Sequence, residues 1–260
     1  MAKIHRMSPL NPAPEPPESL APRVPTPTVS QPVRAIASMA TRTLLAELLP
    51  VFEQRSGVAV QLTSIGGVDA ARRVMADEAW DVVLLAADAL HSLEQAGKLL
   101  PGSVQTWVLS DVALAVPSGA ALPDISTEAA LRQTVLDMAT QGCIGYSTGP
   151  SGTALLALFR RWGVWDALQA RLVQAPPGVA VGTLVARGDV VLGFQQRSEL
   201  LNLAGITLLG PLPPGTQITT AFAAAVVSRS TQPDAACALI DFLAAADTAA
   251  AKRRHGMAPI

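Results

Sequence analysis

The chain has 260 residues, half of them hydrophobic and 15% charged, with a formal net charge of −1 at pH 7. That length accommodates two compact lobes or one large domain. The charge balance argues against a nucleic-acid partner, because phosphate binding needs a basic surface. The longest apolar runs, such as Ala221–Val227, fall far short of the roughly 20 residues that span a bilayer, so no membrane span is expected.

Residues 1–33 contain nine prolines and no apolar run. Such a segment cannot bury enough surface to fold and is expected to be an extended, disordered tail. It also lacks the apolar stretch of an export signal. The pattern changes at Val33. Val33–Ala37 reads as a strand. Thr41–Arg55 reads as a helix, since Leu44, Leu45, Leu48, Leu49 and Phe52 recur at spacings of three and four, with Gly57 past the end. Strands are expected at Val58–Thr63, Asp81–Ala86 and Ser110–Val116, with helices at Asp69–Ala76 and Ala89–Ala96 between them. The alternation continues with helices at Thr127–Thr140, Ser151–Trp162 and Gly182–Arg187. They interleave with strands at Cys143–Ser147, Ala170–Gln174, Val190–Gln195 and Ile206–Gly210. A strand at Ala221–Val227 and helices at Pro233–Ala245 and Thr248–His255 close the chain. This βαβα order predicts an α/β fold with a mostly parallel sheet and helices on both faces.

Three strand-to-helix loops share one chemistry. Ser38, Met39, Ala40, Thr41 and Arg42 open the first helix; Ser64, Ile65, Gly66 and Gly67 precede the second. Thr148, Gly149, Pro150, Ser151 and Gly152 open the main helix of the second half. Each joins hydroxyls to the free N–H groups of a helix N-terminus, where the helix dipole also favours an anion. The glycines let backbone approach a ligand closely. Each loop taken singly reads better as an ordinary N-cap, stabilising by about 1 kcal/mol. Three together shift the balance toward a binding site. Arg42 places a positive charge in a first helical turn, against the dipole, unless it faces an anion; its planar fork suits a carboxylate. One of Arg72 and Arg73 is expected to reach the same cleft. Gln195, Gln196 and Ser198 end a strand at the matching edge of the second half, where amides bind a ligand or cap the next helix.

Acid–base groups are few. His255 suits a helix C-terminus, His91 reads as surface and Asp88 as an N-cap. Asp69 and Tyr146 are the weak candidates for a base. Cys143 and Cys237 sit in apolar stretches and read as lone thiols. No CxxC, clustered Cys/His, nucleotide loop or Ser/His/Asp set occurs, so neither metal nor cofactor is expected. This favours binding over hydrolysis or phosphoryl transfer and leaves proton-transfer isomerisation open.

The strings IASMATR (36–42), SIGGVDAARR (64–73), WDVVLLAAD (80–88), GYSTGPSG (145–152), VQAPPGVAVG (173–182) and ARGDVVLGFQQRSEL (186–200) resemble the molybdate-type branch of the type II periplasmic solute-binding proteins. Within it the chain is most similar to members whose first loop reads SMATR, a group that includes aconitate isomerase. The resemblance covers residues 34–260. It implies two lobes, 34–112 with 225–260 and 113–224, joined by two strands near Ser110–Val116 and Ala221–Val227 that act as a hinge. It also implies a small anion bound between the lobes and an ABC transporter permease as partner. By resemblance the location is periplasmic, whereas the missing export signal points to the cytoplasm. Molybdate binders carry a serine directly at the start of the first helix. Counting back from Gly57 puts Ala40 there, with Ser38 and Thr41 as the nearest hydroxyls. That departure, with Arg42, points to a di- or tricarboxylate rather than molybdate. The alternative function is interconversion of cis- and trans-aconitate by proton transfer.

Overall fold

The computed structural model describes residues 31–176 and 178–260. The proline-rich tail therefore lies outside the described residues up to position 30, while Val33, its last expected member, is buried and begins the first strand. In chain order the elements are β1 (Val33–Ser38), α1 (Arg42–Ser56), β2 (Val60–Ile65), α2 (Gly67–Met75), β3 (Val82–Ala86), α3 (Ala87–Gln95) and β4 (Gln105–Pro117). Next come α4 (Glu128–Gln141), β5 (Ile144–Tyr146), α5 (Pro150–Arg161), α6 (Trp165–Leu168), β6 (Leu172–Gln174), α7 (Val181–Arg187), β7 (Leu192–Gln196) and α8 (Arg197–Leu200). The chain ends with β8 (Ile206–Pro211), β9 (Thr219–Val226), α9 (Pro233–Ala244), α10 (Ala249–Arg254) and β10 (Met257–Pro259).

The first helix forms as its spacing requires. Leu44, Leu45, Leu48, Leu49 and Phe52 are all buried, and Gly57 ends the helix in the left-handed conformation at φ 72°. Burying side chains of this size is worth about 1.5–3 kcal/mol each as an upper bound. Strand β3 beneath α1 is buried on both faces. Val82 and Leu84 of β3 point into the same core as α1 and α9, whereas Val83 and Leu85 pack with Ala70, Val74, Leu90 and Leu93 of α2 and α3. This explains why β3 reads as a continuous apolar run rather than an alternating one.

The strand order is β2-β1-β3-β9-β4-β7-β5-β6, with β10 and β8 also on β4. β1, β2 and β3 run parallel, as do β5, β6 and β7. β9 is antiparallel to β3, and β4 is antiparallel to β7, β8, β9 and β10. The mostly parallel sheet expected from the sequence is thus confined to the two three-stranded sets. Parallel neighbours need a crossover helix, and the segments that pass between the halves carry none. The first half of β4 pairs with β9 and β10, and its second half with β7 and β8. β4 thus bridges the two sets of strands. The return crossing precedes β9: Val112 N–H donates to Ile218 O at 2.8 Å, and from Thr219 onward β9 pairs only with β3 and β4. It falls before Ala221–Val227 rather than within that run, because those residues are apolar through burial in the first sheet.

Candidate functional site

The carboxyl ends of β1 and β3 open onto a cavity of about 1120 Å³, which is where an open α/β sheet places its ligands. One wall is Ser38–Ala40 with the start of α2, from Gly66 to Arg72, and the start of α3. The facing wall is Ser147–Ser151 at the start of α5, Gln174–Pro176 with Gly178–Ala180, and Gln195, Gln196 and Glu199. Thr220 and Phe222 of β9 also line it. The first two loops meet directly, since a Cβ on Gly67 would stand 3.8 Å from Ser38 Oγ. The first-turn N–H groups of α2 and α5, which have no intrahelical partner, thus stand at one cavity from opposite walls.

Of the residues singled out in the sequence, Ser38, Met39, Ala40, Gly66, Gly67, Asp69, Thr148, Gly149, Ser151 and Gln195 line this cavity. Five do not. Thr41 is buried and its hydroxyl donates to Ser38 O at 3.1 Å. Arg42 is exposed at the start of α1, outside the lining, so a direct clamp is absent from this arrangement. Ser64 stands on β2, its Oγ buried without a partner. Tyr146 packs against the core of the second half. Gly152 serves packing: a Cβ there would come within 1.9 Å of Ser147 O, so only glycine lets α5 start this close to β5. Gly149 differs again, adopting φ 84° with open space around it, a backbone conformation that favours glycine.

The capping reading holds at Ser38 alone: Gly66 and Gly149, which precede α2 and α5, make no side-chain cap bond, and Asp88 lies inside the first turn of α3 rather than at its cap. Ser38 Oγ accepts from Ala40 N–H at 3.3 Å, and Ser147 Oγ and Ser151 Oγ share a hydrogen bond at 3.1 Å. Arg72 lines the cavity and pairs with Asp69 at 2.7 Å. Arg73 turns away to Glu78 and lies over the Trp80 ring. His255 bonds Glu47 of α1 at 2.8 Å, and Glu47, held by Arg254 and His255, titrates below the ordinary carboxylate range. His91 is exposed.

Gln195 is 3% exposed and both ends of its amide are engaged: Oε1 accepts from Gly182 N–H at 3.1 Å, and Nε2 donates to Glu199 Oε1 at 2.9 Å. Gln196 Nε2 donates to Thr220 Oγ1 at 2.8 Å, while its buried Oε1 has no partner. Because a hydroxyl both donates and accepts, rotating this amide by 180° keeps the Thr220 bond and turns the NH₂ toward the unpartnered position.

Glu199 is the residue sequence reasoning passed over. α8 packs on the Met39–Thr41 turn, which buries a side chain that looks like an ordinary helical surface acid in the string QQRSEL. Burial pushes its carboxyl up to about 7, against the opposing pull of the Gln195 hydrogen bond and the Arg42 charge. No local pattern marks it, since Gln195 ends strand β7 and Glu199 sits in α8, and the two meet only across the strand-to-helix turn.

Among the described residues no His, Cys, Asp and Glu side chains cluster as a metal site, and no helix is long and apolar enough to cross a membrane. The two-lobed α/β architecture, with one cavity lined by facing helix starts, defines a solute-binding protein. Residues 33–258 match the model of the bacterial extracellular solute-binding protein family, and the chain belongs to that family. It is 35% identical over 242 residues to aconitate isomerase from a Pseudomonas species, a match covering 89% of this chain and 90% of that protein. The fold is shared with the periplasmic molybdate-binding protein of Azotobacter vinelandii (TM-score 0.73, 20% identity, 86% of this chain and 98% of that one). It is shared too with the sulfate-binding protein of Mycobacterium tuberculosis (TM-score 0.69, 16% identity, 88% and 86%).

Proposed function

We propose that this protein captures a small polycarboxylate, of tricarboxylate size, by closing its two lobes over the cavity. The observation that carries this reading is the cavity of about 1120 Å³ with helix starts and hydroxyls on both walls and Arg72 beside them. Drug-sized ligands occupy sites of roughly 300–1,000 Å³. Separated carboxylates reach donors on both walls as the lobes close over the cavity. Arg72, at present paired with Asp69, is the guanidinium with access to the cavity and takes the clamping role first assigned to Arg42. The strand pairing supports lobes of 33–111 with 219–260 and of 112–218, with β4 and the segment before β9 as the hinge. Family membership supports handing the ligand to an ABC transporter permease.

A thermal-shift screen over molybdate, tungstate, sulfate, citrate, isocitrate and cis-aconitate, followed by calorimetry, tests the reading. Tricarboxylates are expected to raise the melting temperature, as any ligand selective for the native state does. Stabilisation by molybdate or sulfate alone would refute it. A second reading, isomerisation of a bound tricarboxylate, is supported by the relative named aconitate isomerase and by the Glu199 carboxyl in the cavity wall.

A further inference from the structure

We propose that Glu199 carries the proton in this cavity, taking it from a carbon beside a bound carboxylate and returning it to the far end of the same allylic unit. The proposal rests on the tricarboxylate reading above. Among the described residues four ionisable side chains line the cavity: Asp69, Arg72, Asp88 and Glu199. Asp69 is tied to Arg72 at 2.7 Å, and Asp88 is exposed in the first turn of α3. Glu199 makes no ion pair among the described residues and is held through one oxygen only. Gln195 Nε2 fixes Oε1 at 2.9 Å, while Oε2 has no hydrogen-bond partner among them. Gln195 is anchored in turn by Gly182 N–H, so a buried amide orients the acid and leaves one oxygen for a reacting group.

A carboxylate in the wall of an anion site repels the ligand unless it is protonated, or unless accepting a proton is its task. Burial makes Glu199 suited to that exchange, since its carboxyl titrates near the pH at which a base both exists ionised and holds a proton. The rest of the wall serves the charge that develops. The N–H groups of α2 and α5 and the unsatisfied Gln196 amide, rotated to present its NH₂, donate to carboxylate oxygens. In the step itself the C–H bond of the ligand methylene breaks and an O–H bond forms on Glu199. The electron pair spreads over the allylic carbons into the adjacent carboxylate. The O–H bond then breaks, a C–H bond forms at the former vinylic carbon and the double bond moves one place. The proton and Glu199 are returned unchanged and no co-reactant is needed.

The test uses the full chain, cis-aconitate as probe, calorimetry for affinity and proton NMR in D₂O for isomerisation and exchange. Wild type is expected to bind and interconvert the isomers. Glu199→Gln keeps the shape and the Gln195 contact. It is expected to bind within about threefold of wild type and to lose about a hundredfold or more in rate, the range of a removed acid–base group. A variant retaining a tenth of the rate would overturn the proposal. Wild type that binds cis-aconitate without converting it would also overturn it and leave the tricarboxylate reading standing, whereas wild type that does not bind it takes both down. Independently of any variant, kcat of wild type at saturating cis-aconitate is expected to rise through one ionisation near neutrality, and a flat profile would overturn the assignment.

Discussion

Replacing Glu199 by glutamine isolates the energetic consequence of burying this carboxyl. Its pKa lies at about 7 in the folded chain against 4.5 for a free glutamate carboxyl. At about 1.36 kcal/mol per unit the difference corresponds to roughly 3 kcal/mol, and water at the cavity mouth lowers the expectation to about 2–3 kcal/mol. Between pH 4.5 and 7 the folded chain holds a proton that the unfolded chain has released, so this contribution falls as pH rises through that window and is flat above it. Glutamine retains the oxygen that accepts from Gln195 and carries no charge at any pH. Glu199→Gln should therefore match wild type near pH 4.5 and exceed it by about 2–3 kcal/mol at pH 8. Urea unfolding of the ligand-free protein at stepped pH measures the difference directly. A stability gap that stays constant from pH 4.5 to 8 would show that Glu199 is solvated and would refute the reasoning.

Other consequences are open to measurement. Arg42→Ala removes the charge that holds the Glu199 carboxyl down, so a carbon-13 titration of that carboxyl should move upward; no movement would place Arg42 out of range. Arg72→Ala should weaken citrate binding about tenfold to a hundredfold, the loss of a charge-assisted contact worth about 1.5–3 kcal/mol. Arg42→Ala should cost less in the same calorimeter, since Arg42 does not line the cavity. Gly149→Ala should cost about 1–3 kcal/mol through its φ of 84°. Gly152→Ala should cost at least the roughly 1–3 kcal/mol of overpacking, because its Cβ would meet Ser147 O at 1.9 Å. Equal melting temperatures for wild type and Gly152→Ala would contradict the packing role.

The periodicities that build the core are local and therefore legible. The three–four spacing of α1, the apolar run of β3 and the hydroxyl-glycine loops before α1, α2 and α5 all follow from backbone geometry over one or two turns. Those loops do line one cavity, at Ser38, Gly66, Gly67, Gly149 and Ser151. Sequence did not reveal the short α6 and α8, or the first half of β4 and β10, which exist through pairing with strands far away in the chain. Nor could it separate residues sharing a motif. In SMATR, Ser38 lines the cavity while Thr41 turns inward and Arg42 outward; in GPSG, Gly149 lies at the cavity and Gly152 against Ser147. The difference is one of direction and burial. Glu199 shows this most sharply: the chain records an ordinary acid, and only the fold, with α8 packed on the Met39–Thr41 turn, half-buries it in the cavity wall and moves its pKa. Desolvation depends on what covers a group, and for Glu199 the cover comes from residues some 160 positions earlier in the sequence.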